Sequence, residues 1–186
     1  MSQLMAWRLL LLLPCILLTA CSSYYRSNAA LEIAPKVMLN LDTMAPSMKG
    51  QTWQQVMYVT NQQQQHTLLS QLAVDNAGTL KLLIMTSQGL PIIELEKAAY
   101  QAMKSTKMLP GVALDATFVL ADIALVHWPV EYLTQQLTGA KVVQTGSQRL
   151  ITHAGSTLYR IRYQGDTTTL ENNIRDYKIT FKKVTQ

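Results

Sequence analysis

The sequence predicts an α+β protein: an antiparallel sheet of about eight strands, interrupted mid-chain by helices that cover its apolar face. Three observations predict it. Short runs rich in Val, Ile, Leu and Tyr recur between turn signals from Trp53 onward. The stretch from about Lys97 to Leu137 turns to helix formers. Late segments alternate apolar with polar or basic residues, which sets an oily face against a charged one.

In chain order, strands are expected near 52–60, 66–74, 79–86 and 90–97. The turns between them are Asn61 to Gln65, Asp75-Asn76-Ala77-Gly78 and Ser87-Gln88-Gly89. Glu96 to Met103 is rich in helix formers, and Pro110-Gly111 breaks that run. Asp115 caps a second helix, Ala116 to His127, in which Phe118, Val119, Ile123 and Val126 form an apolar stripe. Pro129 ends it, and Val130 to Leu137 reads as a third short helix closed before Gly139. Strands return near 141–144, 148–153, 157–164 and 177–184. Tyr159, Ile161 and Tyr163 share one face while Arg160 and Arg162 take the other, and Tyr177, Ile179 and Phe181 oppose Lys178, Thr180 and Lys182. Such a sheet must be covered, and the helices between 97 and 137 are the expected cover.

Of the 186 residues 48% are hydrophobic and 15% charged, which excludes intrinsic disorder and fits one folded domain. The net charge of +5 is only mildly basic, so no nucleic-acid partner is expected. Much of the apolar content lies near the start, where Arg8 precedes the run Leu9 to Leu18. That run is shorter than the ~20 residues a spanning helix needs and reads as a secretory signal. It ends in Leu18-Thr19-Ala20-Cys21, which resembles the bacterial lipobox. The resemblance implies a signal peptide at 1–20, lipidation of Cys21, and a lipidated tether over 21–50 leading into a domain at 51–186. Ser22 stands where Asp is the usual inner-membrane retention mark, which implies the periplasmic face of the outer membrane. Cleavage also removes Cys15, so no disulfide or free thiolate is expected in the mature chain.

The order of elements resembles the fold of the outer-membrane lipoprotein receptor and periplasmic lipoprotein carrier. Within it, the chain resembles the DUF3261 family of bacterial lipoproteins. Leu125 to Leu133, with Trp128-Pro129 and Gly139, looks like the receptor's Gly-Trp-Pro turn and following helix, although His127 stands where the receptor has Gly. Tyr159 to Tyr163 and Ile174 to Ile179 resemble its last strands. The resemblance implies a half-open antiparallel barrel around a helical lid, with an apolar cavity that accepts acyl chains. Because genes of this family commonly accompany aryl polyene synthesis, it also implies the moving or placing of such a lipid, with an inner-membrane exporter or a periplasmic carrier as a partner.

The residues expected to line the cavity are Met57, Val59, Leu82, Ile84, Phe118, Ile123, Trp128, Tyr159, Ile161, Tyr163, Tyr177 and Ile179. Seven methionines after Cys21 suit either a pliable ligand cavity or an ordinary filled core. Burial of the chain would supply affinity, with Tyr hydroxyls or a rim cation orienting a polar head. Arg160, Arg162, Lys178, Lys182 and Lys183 form a mild basic strip on the outer face, suited to anionic headgroups at short range. Catalytic signals are weak. Ser147 and Ser156 lack the second Gly of a nucleophile elbow. His66, His127 and His153 lack paired ligand spacing, and Asp122 and His127, five apart, miss a shared helix face. The expectation is a non-enzymatic carrier that needs no cofactor and no metal; the alternative is a structural or assembly lipoprotein whose sheet face is filled by its own helices.

Overall fold

The computed structural model describes residues 30–61, 64–109 and 114–184. The lipobox and Cys21 lie outside the described residues. The chain is α+β and mostly antiparallel sheet. Two meanders make the main sheet. The first is β3 (Thr52–Asn61), β4 (Gln64–Val74), β5 (Leu80–Thr86), β6 (Pro91–Lys97) and β7 (Lys104–Lys107). The second is β9 (Lys141–Thr145), β10 (Gln148–His153), β11 (Ser156–Gln164), β12 (Thr167–Asn172) and β13 (Tyr177–Lys183). They join where β13 pairs with β3, setting Ile179 opposite Val59 and Phe181 opposite Met57.

Among the described residues this sheet has ten strands in the order β7-β6-β5-β4-β3-β13-β12-β11-β10-β9, and its edges are not joined, so it is not closed. The expectation of about eight strands is corrected by two. β7, Lys-Ser-Thr-Lys, is exposed throughout and shows no apolar alternation. β12, Thr-Thr-Thr-Leu-Glu-Asn, buries only Leu170 and Asn172 and is held as a strand by β-branched residues and two flanking ladders. Register shifts at Ile84/Met85 and Ile151/Thr152 mark bulges, which bend the strands that carry them.

The helix expected over Glu96–Met103 does not form. Lys97 completes β6 and is buried; its ammonium donates to the carbonyls of Asp42 and Ala98 at 3.1 and 2.8 Å. The chain then turns through Tyr100 at φ 56°, so tertiary demand on one amine overrides local propensity. The two α-helices of the described residues are α1 (Ala116–His127) and α2 (Val130–Gln136). Asp115 caps α1 by accepting from the Thr117 amide at 2.8 Å.

The segment expected to be a tether is, from Ala30, part of the fold. β1 (Ala30–Ala34) and β2 (Val37–Asn40) pair with the short β8 (Leu137–Thr138) in a second sheet, and a 3-10 turn follows at Pro46–Met48. Ile33, Val37, Leu39, Leu41, Met44 and Met48 are all buried. Their alternation is too short, and too broken by Pro35 and Pro46, to stand out in sequence. This layer also explains why α1 is apolar on nearly every side, with Leu120, Ala121, Ala124 and Leu125 buried along with Ile123. The helix packs against β1 as well as facing the main sheet. The cover is therefore two helices and a small sheet. Gly139 sits where these layers meet: at φ +85° a Cβ there would fall 2.1 Å from the Lys36 carbonyl oxygen, so only glycine fits.

Candidate functional site

A cavity of about 310 Å³ lies between α1 and the inward face of β3, β4, β5 and β13. Inward positions alternate along each strand, so register assembles its wall: Met57 meets Phe181, Val59 meets Ile179, and Leu72 meets Leu82. Along β3 the lining residues Gln55, Met57, Val59 and Asn61 reach over about 20 Å. The shape is thus a slot with an apolar interior. Buried Leu72, Leu82, Ile84 and Phe181 form its floor. Asn61 and Asp115 are its exposed lining residues and mark the rim. The volume sits at the low end of the ~300–1,000 Å³ of small-molecule sites.

Eight of the twelve residues expected at a cavity line this one: Met57, Val59, Leu82, Ile84, Phe118, Ile123, Tyr177 and Ile179. Trp128, Tyr159, Ile161 and Tyr163 do not. Tyr159, Ile161 and Tyr163 lie on β11, further along the sheet, and Trp128 caps the end of α1; there the space is filled. Trp128 is fully buried and meets the Tyr132 ring edge-on at 5.0 Å. The Tyr159 hydroxyl donates to the Ile33 carbonyl at 3.2 Å, and Tyr163 donates to the Val126 carbonyl at 2.8 Å. Ile161 has no exposed surface.

These filled positions hold the end of α1. Arg149 is 5% exposed; it donates to the Leu125 carbonyl at 2.6 Å and to Gln144 Oε1 at 2.9 Å, and its guanidinium lies 5.4 Å from the Tyr163 ring centre. A helix leaves its last carbonyls unpaired and its C-terminus partly negative, so a cation there both bonds and complements it. His127 packs on Trp53 at 4.8 Å between ring centres. Burial pushes its imidazole down to about 4, and the Arg149 charge adds to the effect.

One wall of the cavity is polar, and two of its members were not anticipated as site residues. Asp122 projects from α1 one turn after Phe118 and is 6% exposed. The Tyr177 hydroxyl donates to its Oδ2 at 2.5 Å. Burial pushes the Asp122 carboxyl up to about 7, against the Tyr177 hydrogen bond and the Arg175 charge, which both favour the ionised form. Burial also raises the Tyr177 phenol, and the Asp122 charge raises it further. Arg175 comes from the β12–β13 turn, and its guanidinium carbon lies 3.2 Å from the centre of the Phe118 ring. The turn is set by Asn172, whose Oδ1 accepts from the amides of Ile174 and Arg175, both at 3.0 Å. The helical spacing from Phe118 to Asp122 carried a signal for the acid; Arg175, outside any strand alternation, carried none.

The outer basic strip is less free than its sequence suggests. Arg160 and Arg162 both reach Glu171, at 3.1 and 2.7 Å, so that one carboxylate clamps both. Burial raises Glu171, but the hydrogen bonds from Arg162 and Arg160 outweigh it and hold the carboxyl below its usual range.

The fold and site define a small α+β protein in which an open antiparallel sheet and a buried helix enclose an elongated apolar cavity with one polar wall. Residues 52–185 match the family described as "Protein of unknown function (DUF3261)". The chain belongs to that family, and the match takes in every strand of the main sheet and both helices. A comparison with curated proteins finds no match.

Proposed function

We propose that the chain is a lipoprotein, anchored through Cys21 at the periplasmic face of the outer membrane, that binds or transfers a hydrophobic ligand. The ligand is an acyl chain, with an aryl polyene lipid as the biological candidate, passed to or from an inner-membrane exporter or periplasmic carrier. In this reading the main sheet acts as a half-barrel and α1 as its lid, and no catalysis is involved. The supporting observation is the unfilled slot of about 310 Å³ between α1 and β3–β5 and β13. A structural or assembly lipoprotein would gain nothing from leaving it empty, because unfilled apolar space forfeits dispersion contacts and lowers stability. Burial of ligand surface at roughly 25 cal/mol per Å² supplies the affinity. The anchor follows from the lipobox, since several acyl chains at ~0.8 kcal/mol per methylene hold a domain to a bilayer.

The test is saturable binding of a fluorescent fatty acid by the full chain, compared with Val59→Phe. Val59 is half-buried and lines the slot, so the larger ring enters the void without displacing the filled part of the core. Binding by the native chain, lost in a variant that melts at an unchanged temperature, is the expected outcome. No saturable binding by the folded native chain would favour the assembly reading.

A further inference from the structure

Arg175 occupies an unusual position for a cation. Its guanidinium stacks on Phe118 at the cavity wall, yet among the described residues it makes no ion pair within 4 Å. The nearby acid is engaged elsewhere: Asp122 holds the Tyr177 hydroxyl at 2.5 Å. The other acid of the lining, Asp115, is committed to the α1 N-terminus through the Thr117 amide. Arg175 also donates to the Tyr159 hydroxyl; a stacked guanidinium carries further N–H donors along its edge, and that fork matches the two oxygens of a carboxylate. The slot beyond it is apolar from Phe118 through Ile179, Val59 and Met57 to Leu72.

We infer that Arg175 is the headgroup site of this cavity and that the ligand is a single-chain carboxylic acid, its carboxylate on the guanidinium and its chain along β3. This rests on the carrier reading above. The charge balance selects a monoanion. With one cation outside any ion pair and the Asp122 carboxyl on the same wall, a phosphate of higher charge would be under-neutralised, and a neutral ester would offer the guanidinium a weaker acceptor than a carboxylate. A cavity of about 310 Å³, at the low end for small-molecule sites, suits one chain better than the two of a diacyl lipid.

Native mass spectrometry of the full chain, released from non-ionic detergent, tests this with palmitic acid, its methyl ester and hexadecyl phosphate at equal concentration. The acid is expected to exceed the ester by about tenfold, the size of one charge-assisted contact. Arg175→Gln should bring the two within about twofold by lowering acid binding, and Arg175→Lys should restore part of the preference. Equal binding of acid and ester by the native chain would overturn the headgroup assignment and leave the cavity reading standing. Hexadecyl phosphate bound in preference to the acid would overturn the monoanion. Binding of none of the three would overturn the carrier reading itself.

Discussion

Replacing Asp122 with Asn should turn a flat pH dependence of stability into a rising one. Two groups on α1, the buried Asp122 and the half-buried His127, titrate in opposite senses. Asp122 has its carboxyl raised from 3.8 to about 7, so the folded state holds a proton that the unfolded chain gives up; stability falls as pH rises through that window. His127 is lowered from 6.5 to about 4, so the unfolded chain binds the proton first; stability rises with pH over 4 to 6.5. Each contributes a slope of at most about 1.4 kcal/mol per pH unit, and between pH 4.5 and 6.5 the two nearly cancel. Asp122→Asn keeps the acceptor for Tyr177 and leaves His127 alone, so stability should climb by up to about 3 kcal/mol across that interval. His127→Gln should produce the opposite slope, and the double variant should be flat again. The carboxylate Glu171, lowered from 4.5, acts below the interval and does not interfere. Urea denaturation at half-unit pH steps measures this. Parallel profiles for the native chain and the Asp122→Asn variant would refute the claim that Asp122 is buried in a form that resists ionisation.

Three further outcomes are expected, two from contacts of the fold and one from the proposed anchor. Gly139→Ala places a methyl 2.1 Å from the Lys36 carbonyl at φ +85°, and should cost about 3 kcal/mol or more, read as a fall in melting temperature of roughly 10 °C. Gly146→Ala, with a positive φ but nothing within 4 Å, should cost about 1 kcal/mol and serves as its control. Arg149→Met removes the donor to the Leu125 carbonyl and should cost about 2 kcal/mol; the His127 titration followed by NMR should move upward, because the cation that lowers it is gone. Cys21→Ser should abolish incorporation of an alkynyl palmitate and release the chain from the membrane fraction, whereas retained label would place the acylation elsewhere.

Most of the sheet was legible because its strands combine β-branched or aromatic residues with clear turn chemistry. In Tyr177 to Lys183, for instance, period-two alternation alone assigns Ile179 and Phe181 to the inner face. β7 and β12 were not legible, since Lys-Ser-Thr-Lys has no inward apolar residue and the Thr run has one Leu. The Lys97 segment misled for the opposite reason. Its helix formers are real, but the buried amine needs two carbonyls that only a strand end and a turn supply. For the site, alternation identifies a face and not the stretch of that face left uncovered. Tyr159, Ile161 and Tyr163 face inward as firmly as Ile179 does, yet they pack where β1 and the end of α1 fill the space. What decides between the two is the small β1-β2-β8 sheet, whose strands are too short to announce themselves. The polar wall was the least legible feature, because Asp122 and Arg175 converge from a helix and a turn separated by some fifty residues.

The central claim, that the slot between α1 and strands β3–β5 and β13 holds a hydrophobic chain, is tested most directly by lipid mass spectrometry on the full chain purified from the cells that produce it beside Val59→Phe. A long-chain acid near one per protein in the native sample, and strongly depleted in the variant, is the predicted result. The same lipids at the same ratio in both would contradict it.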